Sequence, residues 1–530
     1  MVLNRNTLVE SARQESPEWD IIVIGGGATG LGTALDSVTR GYRTLLLEQS
    51  DFAKGTSSRS TKLVHGGVRY LRQGNISLVR EALKERGLLI QNAPHLVRRQ
   101  AFIIPGYKWW EKPFYSLGMK IYDRMAGKLG FGASGTLDTH QALKEIPSLN
   151  PENLRGGVCY FDGQFDDSRL AIDLMKSIHD HGGIAINYLK VTGFLKENGL
   201  IRGVTALDQI SGESRQFRCK AVVNATGVFT DSVRELDDRE SRAMIRASQG
   251  VHIVLDRSFM PGDNALMIPK TDDGRVLFAI PWHNRLIVGT TDTLVDSIDL
   301  EPRALAEELE YLLSHTGRYL ASRPEPDDVK SVFTGLRPLV RSDDDKSTKK
   351  ISRDHTILID QSGLVTVTGG KWTTYRKMAE DTVDTAAEVG ELPPRPSVTR
   401  DLKIHGSHET PVDSGESIDE NPYYLYGSDA PKVRQIEQEQ PGWDKPIHPS
   451  LEIRPAEIIW AVRYELACCI EDVLSRRTRA LLLDAKASVE IAAKTATLIA
   501  EERKFSVEWI DQQVSDFKKI AANYRIDSYM

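Results

Sequence analysis

Two rhythms of apolar side chains run through this chain. Residues 21–24 form an unbroken run of Ile and Val, a glycine cluster follows at once, apolar residues at helical spacing occupy 31–39, and a second apolar run fills 44–47. Strand, turn, helix and strand in that order predict a βαβ unit, since buried parallel strands read as continuous apolar runs rather than as alternation. Short apolar runs at 221–224, 251–255, 286–289 and 364–368 predict further strands, and segments between them, 168–181 among them, carry helical periodicity. Together they predict a mixed α/β architecture.

The rhythm changes near residue 392. Pro393, Pro394 and Pro396 open a polar stretch that reads as a linker. From Pro455 onward the pattern is Ala- and Leu-rich and helical, over 457–475 and 478–503, with no strand signal. The expected organisation is a disordered leader at 1–19, marked by Glu10, Glu15 and Glu18 and no apolar segment, then a cofactor-binding body at 20–392. A linker and the start of a C-terminal domain follow at 393–450, and an all-helical domain at 451–530. Arg476, Arg477 and Arg479 beside Leu481, Leu482 and Leu483 read either as a solvated basic face or as a docking face inside a dimer.

A chain of 530 residues exceeds what one core supports, which predicts two or three domains and room for a large cofactor. The formal net charge of −6 gives no basic excess and argues against nucleic acid as the main partner. Four cysteines, Cys159, Cys219, Cys468 and Cys469, lack CxxC or metal-ligand spacing, so neither a disulfide framework nor a metal site is expected, and a reducing cytoplasm fits. No uncharged apolar run approaches the roughly 18–20 residues that span a bilayer, so membrane contact is expected to be peripheral. Within 108–115, Lys108, Trp109, Trp110, Lys112, Phe114 and Tyr115 suit a membrane interface or a packed domain edge.

The candidate chemistry begins at residues 25–30, Gly-Gly-Gly-Ala-Thr-Gly, placed after a strand and before a helix. Gly25 permits a tight turn, Gly27 lets the backbone approach a pyrophosphate, and Gly30 permits close helix-to-strand packing. The helix N-terminus then faces phosphate, and Glu48, closing the second strand, can accept hydrogen bonds from a ribose. Two further strand-to-glycine turns, at 222–227 (ending Ala225-Thr226-Gly227) and 365–371 (ending Gly369-Gly370-Lys371), recur in flavin enzymes. A helix beginning after Gly370 would direct its positive end at a reduced flavin.

Residues 55–70, Gly-Thr-Ser-Ser-Arg-Ser-Thr-Lys-Leu-Val-His-Gly-Gly-Val-Arg-Tyr, closely resemble the FAD-dependent glycerol-3-phosphate dehydrogenases. The resemblance continues at 81–86, 93–96, 289–292, 335–339, 352–354 and 369–376, and through the tail at 426–428, 461–465 and 475–478. Arg59 and Trp372 stand where many relatives carry a smaller residue and leucine. The family implies an FAD-binding Rossmann-like domain of the glutathione-reductase/D-amino-acid-oxidase type, interleaved with an antiparallel-sheet substrate domain (mainly about 85–160 and 246–335) and followed by an all-helical C-terminal domain. It further implies oxidation of sn-glycerol 3-phosphate to dihydroxyacetone phosphate by hydride transfer to FAD. Electrons then pass to ubiquinone or menaquinone from a cytoplasmic enzyme held peripherally on the inner face of the cell membrane; a homodimer is compatible with it.

Matched to the family, the cofactor residues are Gly25, Gly27, Gly30, Glu48, Thr56, Ser57, Ser58, Lys62, Leu63, His65, Gly66, Gly67, Ala225, Gly227, Gly370, Lys371, Thr373 and Thr374. Arg69, Tyr70, His252 and Arg337 are expected to clamp the substrate phosphate, where arginine suits a dianion because its planar fork binds two oxygens at once. Arg353 and Lys371 are expected beside the C2 hydroxyl. His65 is the first choice of base, its ordinary pKa of about 6.5 suiting proton transfer near neutrality; the other reading is a histidine that packs the cofactor. A glycerol-3-phosphate oxidase, with dioxygen as acceptor and hydrogen peroxide as product, shares these motifs. Relatives of that type commonly carry an extra mid-chain insertion, which this sequence lacks.

Overall fold

The computed structural model describes residues 3–14, 18–68, 75–341, 355–407 and 421–529. Two sheets organise the body. The first runs in the order Thr356–Ile359, Leu364–Thr368, Ser214–Asn224, Trp19–Ile24, Thr44–Leu47, Ile184–Ile186. Along this path all neighbours are parallel except the edge strand Thr356–Ile359, and off it Ser214–Asn224 pairs antiparallel with Leu200–Asp208, which pairs antiparallel with Leu189–Glu197. The predicted runs 44–47 and 364–368 coincide with strands, and 221–224 is the buried end of a longer one. Parallel pairing buries these strands on both faces, which is why they are continuously apolar.

The helices Ala28–Thr39 and Tyr375–Val389 cover one face, touching closely enough that a Cβ on Gly32 would sit 2.7 Å from the Tyr375 ring. The second sheet is mostly antiparallel, with Ile245–Asp256 paired along its length to Ser331–Val340 and also to Arg285–Gly289. Its other half joins Val97–Pro105 to Gly157–Phe165, which in turn pairs with Leu63–Val64. The chain thus leaves the parallel sheet, contributes to the second sheet, and returns, so the two halves are interleaved.

The C-terminal helices Ala430–Glu437, Pro455–Tyr464, Ala485–Arg503 and Val507–Ala522 enclose Trp460, Leu474 and Ile499. Val254, Trp282, Ile287 and Phe333 of the second sheet belong to the same core cluster.

Three expectations are corrected here. The leader is not disordered over 1–19: Arg5–Gln14 is a helix, and buried Arg5 donates to Asp208 and to the carbonyls of Asn187 and Tyr188. Its composition hid this because the anchors are long-range: the Arg5 contacts, and Leu3, Val9 and Ala12 buried against distant parts of the core. The two long C-terminal helices are broken, into Pro455–Tyr464 and a six-residue π-helical turn, Asp472–Arg477, and into Ala480–Leu483 and Ala485–Arg503. Leu466 and Arg479 adopt left-handed backbone at the breaks, with φ of +54° and +65°.

Those breaks serve the third correction. Arg476, Arg477 and Arg479 are 2%, 2% and 1% exposed, so they form no solvated face. Arg477 grips both oxygens of Asp51 at 2.6 and 2.9 Å, Arg476 joins the same carboxylate, and Arg479 binds Asp167 at 2.9 Å. Buried guanidinium groups persist only where carboxylates and carbonyls answer them, and the break at Arg479 lets all three arginines, at 476, 477 and 479, reach buried carboxylates.

Candidate active site

A cavity of about 1140 Å³ lies between the two sheets, larger than the roughly 300–1,000 Å³ of ordinary small-molecule pockets. Its first end is built by the turn after strand Trp19–Ile24. Gly25 has φ +110°, and a Cβ there would meet the Ala225 carbonyl oxygen at 2.7 Å. A Cβ on Gly30 would lie 1.8 Å from the Gly25 carbonyl oxygen, so the helix can sit this close only with glycine. Ala28 N–H donates to Ser57 Oγ at 2.9 Å, tying the turn to the 55–62 loop. Glu48 accepts from Gly26 N–H at 2.6 Å and Ser50 N–H at 2.8 Å; burial outweighs these bonds and raises its pKa.

Of the predicted cofactor residues, Gly25, Gly27, Glu48, Thr56, Ser57, Leu63, His65, Gly67, Ala225, Gly227, Gly370, Lys371 and Thr373 line this cavity, as do His252 and Arg337. Five others do not. Gly30 packs helix on turn, Gly66 N–H donates to Tyr122 Oη at 2.8 Å, and Thr374 donates to the Lys371 carbonyl. The Ser58 carbonyl accepts from Lys62 and Arg479, both at 2.8 Å.

Lys62 is the clearest departure, since its ammonium is fully buried away from the cavity and bonded to Asp167 at 2.7 Å. Burial and neighbouring Arg479 push its pKa down to about 7. Lys62 was expected among the cofactor residues by family motif, and only tertiary contact brings Asp167 and Arg479 to it. Arg69, Tyr70 and Arg353 lie outside the described residues.

At the second end, Arg337 donates to Thr290 Oγ1 at 3.1 Å, to the carbonyls of Thr291 and Gln249 at 3.0 and 3.2 Å, and to Asp292 at 3.3 Å. Its guanidinium is thereby aimed before any ligand arrives. His252 stacks on Phe333 at 4.6 Å and its Nε2 lies 2.9 Å from Thr61 Oγ1. Burial, then the charges of Lys62 and Arg337, hold its pKa well below 6.5, so the ring is neutral. Half-buried His65 is held through its backbone, its N–H donating to Thr373 Oγ1 at 3.3 Å.

Several wall residues had no sequence signal of their own. Arg59, noticed only as unusual, is buried and paired with Glu301 at 2.8 Å; Lys54 joins the same carboxylate at 2.7 Å. Phe102, Tyr160, Met267 and Phe278 make an apolar end, which spacing could not locate because they come from separate strands. Trp372, the other departure, donates from its indole to the Ser57 carbonyl at 2.9 Å.

The parallel sheet, its glycine turn and this cavity define a flavoprotein oxidoreductase, and residues 20–376 match the family model for FAD dependent oxidoreductases. Residues 397–510 match the C-terminal domain of alpha-glycerophosphate oxidase. The chain is 38% identical over 544 residues to mitochondrial glycerol-3-phosphate dehydrogenase of Homo sapiens, covering 96% of this chain and 74% of that protein. It is 37% identical to the mitochondrial enzyme of Arabidopsis thaliana, covering 97% and 87%. Among solved structures, glycerol-3-phosphate dehydrogenase from Bacillus halodurans complexed with FAD superposes with a TM-score of 0.81 at 30% identity, over 99% of this chain and 98% of that one. The chain belongs to the FAD-dependent glycerol-3-phosphate dehydrogenases.

FAD is its cofactor, and the residues present fit it. The N-terminus of helix Ala28–Thr39 opens on the cavity, and Gly27 keeps that approach free, a Cβ there coming within 3.1 Å of Ser57 Oγ.

Proposed function

We propose that this protein oxidises sn-glycerol 3-phosphate to dihydroxyacetone phosphate and passes the electrons to a membrane quinone, ubiquinone or menaquinone. One observation carries the reading: a single cavity joins the glycine turn and Gly370-Lys371 to Arg337 and His252. When bound, FAD supplies the acceptor for the two electrons leaving the substrate's C2–H bond.

The chain's own residues do the rest. Arg337, its orientation fixed by four acceptors, sets a rigid positive charge beside the phosphate, and Arg69 and Tyr70 supply the further donors of that clamp. His252 is neutral and adds a hydrogen bond rather than charge. His65 takes the C2 hydroxyl proton, while Lys371 and Arg353 stabilise the alkoxide oxygen as that proton leaves. Gly25, Gly27, Glu48, Thr56, Ser57 and Ala225 hold the dinucleotide.

No helix among the described residues is long and apolar enough to cross a membrane, and attachment to the inner face of the cell membrane is peripheral in this reading. Anaerobic addition of glycerol 3-phosphate to the yellow protein should bleach the flavin, and a quinone analogue should restore its colour. A flavin that stays oxidised would overturn the substrate assignment. The match of residues 397–510 to a glycerophosphate oxidase domain favours a second reading, dioxygen as acceptor; peroxide formed in equal amount to product would establish it.

A further inference from the structure

The acceptors that aim Arg337 have a support of their own. Two of them are the carbonyls of Gln249 and Thr291, and a third is the carboxylate of Asp292. Behind them lies Glu308, in the first turn of the helix Ala306–Tyr319. One oxygen of its carboxylate accepts from the hydroxyls of Thr291 and Thr293, both at 2.7 Å. The other accepts from the side-chain amide of Gln249 and, at 3.0 Å, from the N–H of Leu305. Thr291 Oγ1 in turn accepts from Val251 N–H at 3.0 Å, which ties this segment to the strand Ile245–Asp256. Ser248, on the same strand, donates to Asp292.

A glutamate in the first turn of a helix ordinarily serves as a cap, reaching back to the backbone N–H that precedes the helix. The bond to Leu305 is that ordinary part. The rest goes beyond it, because Glu308, Gln249 and Thr291 are all buried. A buried carboxylate is costly unless its lone pairs are answered, and four donors answer this one. Hydrogen bonds to a carboxylate are roughly twice as strong as bonds between neutral groups, so Gln249 and Thr291 are held more firmly than a neutral partner would hold them. These are the two residues whose carbonyls receive the Arg337 guanidinium. Glu308 does not line the cavity, whereas Gly250, His252, Thr290 and Arg337 do. Its influence on a ligand therefore runs through Arg337.

We infer that Glu308 is a positioning residue: it fixes the carbonyls of Gln249 and Thr291, and through them the Arg337 guanidinium, in place to meet the substrate phosphate. This rests on the reading that Arg337 binds that phosphate, and it names what holds the arginine. An arginine stem is flexible, and a guanidinium whose acceptors can shift must be ordered again each time a ligand binds, which weakens binding. A supporting layer that fixes those acceptors removes that cost before the ligand arrives. Loss of Glu308 therefore falls on the hold upon the phosphate and not on proton and electron transfer at C2.

The test uses holoenzyme, steady-state kinetics with a soluble dye acceptor, and flavin absorbance as the measure of bound FAD. Glu308→Ala should raise KM for glycerol 3-phosphate at least about tenfold, with kcat within about threefold of the parent and FAD retained. Glu308→Gln keeps the shape and one acceptor oxygen, so its KM should fall between those of the parent and the alanine variant. Should the alanine variant fail to fold, the glutamine variant carries the test, with a rise in KM of about threefold or more. In an Arg337→Ala background, Glu308→Ala should lower kcat/KM by less than about a further twofold, because the group it positions is gone. An equal added loss in both backgrounds would overturn the inference, as would loss of flavin or of kcat with KM unchanged. A parent whose flavin glycerol 3-phosphate does not reduce would bring down the substrate reading and this inference with it. Normal turnover by the parent beside an unaltered KM in the Glu308 variants would bring down this inference alone.

Discussion

Gly250 shows how one missing side chain sets the candidate phosphate site. A Cβ there would lie 2.3 Å from Arg337 Nη2 and 2.5 Å from Thr290 Oγ1, so alanine must push the guanidinium from its acceptors. A charge-assisted hydrogen bond contributes about 1.5–3 kcal/mol. Gly250→Ala should therefore raise KM for glycerol 3-phosphate about tenfold or more while leaving flavin content unchanged, as steady-state kinetics and the absorbance spectrum would register. His65 makes the complementary case, because its backbone is tied to Thr373 at both N–H and carbonyl. His65→Ala should slow single-turnover flavin reduction by about 10²–10⁴ with little change in substrate affinity, the range that general bases contribute. Unchanged reduction would remove it from the mechanism.

The contacts between elements explain why the C-terminal helices matter to a site they do not line. Arg479 reaches the Ser58 carbonyl and Asp167, and Lys62 reaches the same two groups, so the loop carrying Thr56 and Ser57 is fastened from behind. Arg477→Ala would leave buried Asp51 with half its cationic partners, at a cost of about 3–5 kcal/mol, visible in denaturant unfolding. Burial raises the Asp51 carboxyl, but Arg477 and Arg476 outweigh it and hold the pKa far below the carboxylate range, so this contribution fails only at strongly acid pH. His405 behaves in the opposite sense. It bridges Asp180 on the helix Asp167–Asp180 to Asp429 at the entry to the C-terminal helices, and these bonds overcome burial to lift its pKa to about 9. A raised pKa stabilises the fold fully below the unfolded value of about 6.5 and ceases to do so as pH rises through 9. His405→Gln should lose on the order of 2–3 kcal/mol near pH 6 and almost nothing at pH 10, measured by unfolding across that range.

Across the whole molecule, what was legible in the sequence was what local chemistry dictates. The strands 44–47 and 364–368, the turn at Gly25 and Gly27, and the fit of the FAD site follow from short-range rules: continuous apolar runs, positive φ, and a backbone approach that no Cβ obstructs. His252 and Arg337 were identified by family motif, yet nothing along the chain foretold that one would be neutral and the other held by four acceptors. The arginines at 476, 477 and 479, one of whose expected readings was a solvated face, are buried for the same reason. A charge in a sequence looks solvated until the fold reveals the carboxylate hundreds of residues away, as Asp51 is from Arg477. The helix at Arg5–Gln14 likewise depends on Asp208. Sequence alone determined strands such as 44–47 and 364–368, the dinucleotide turn and the family, because their causes lie within a few residues or in a motif. Tertiary structure alone decided which charges are buried, paired or exposed, because desolvation and Coulomb attraction depend on distance in space.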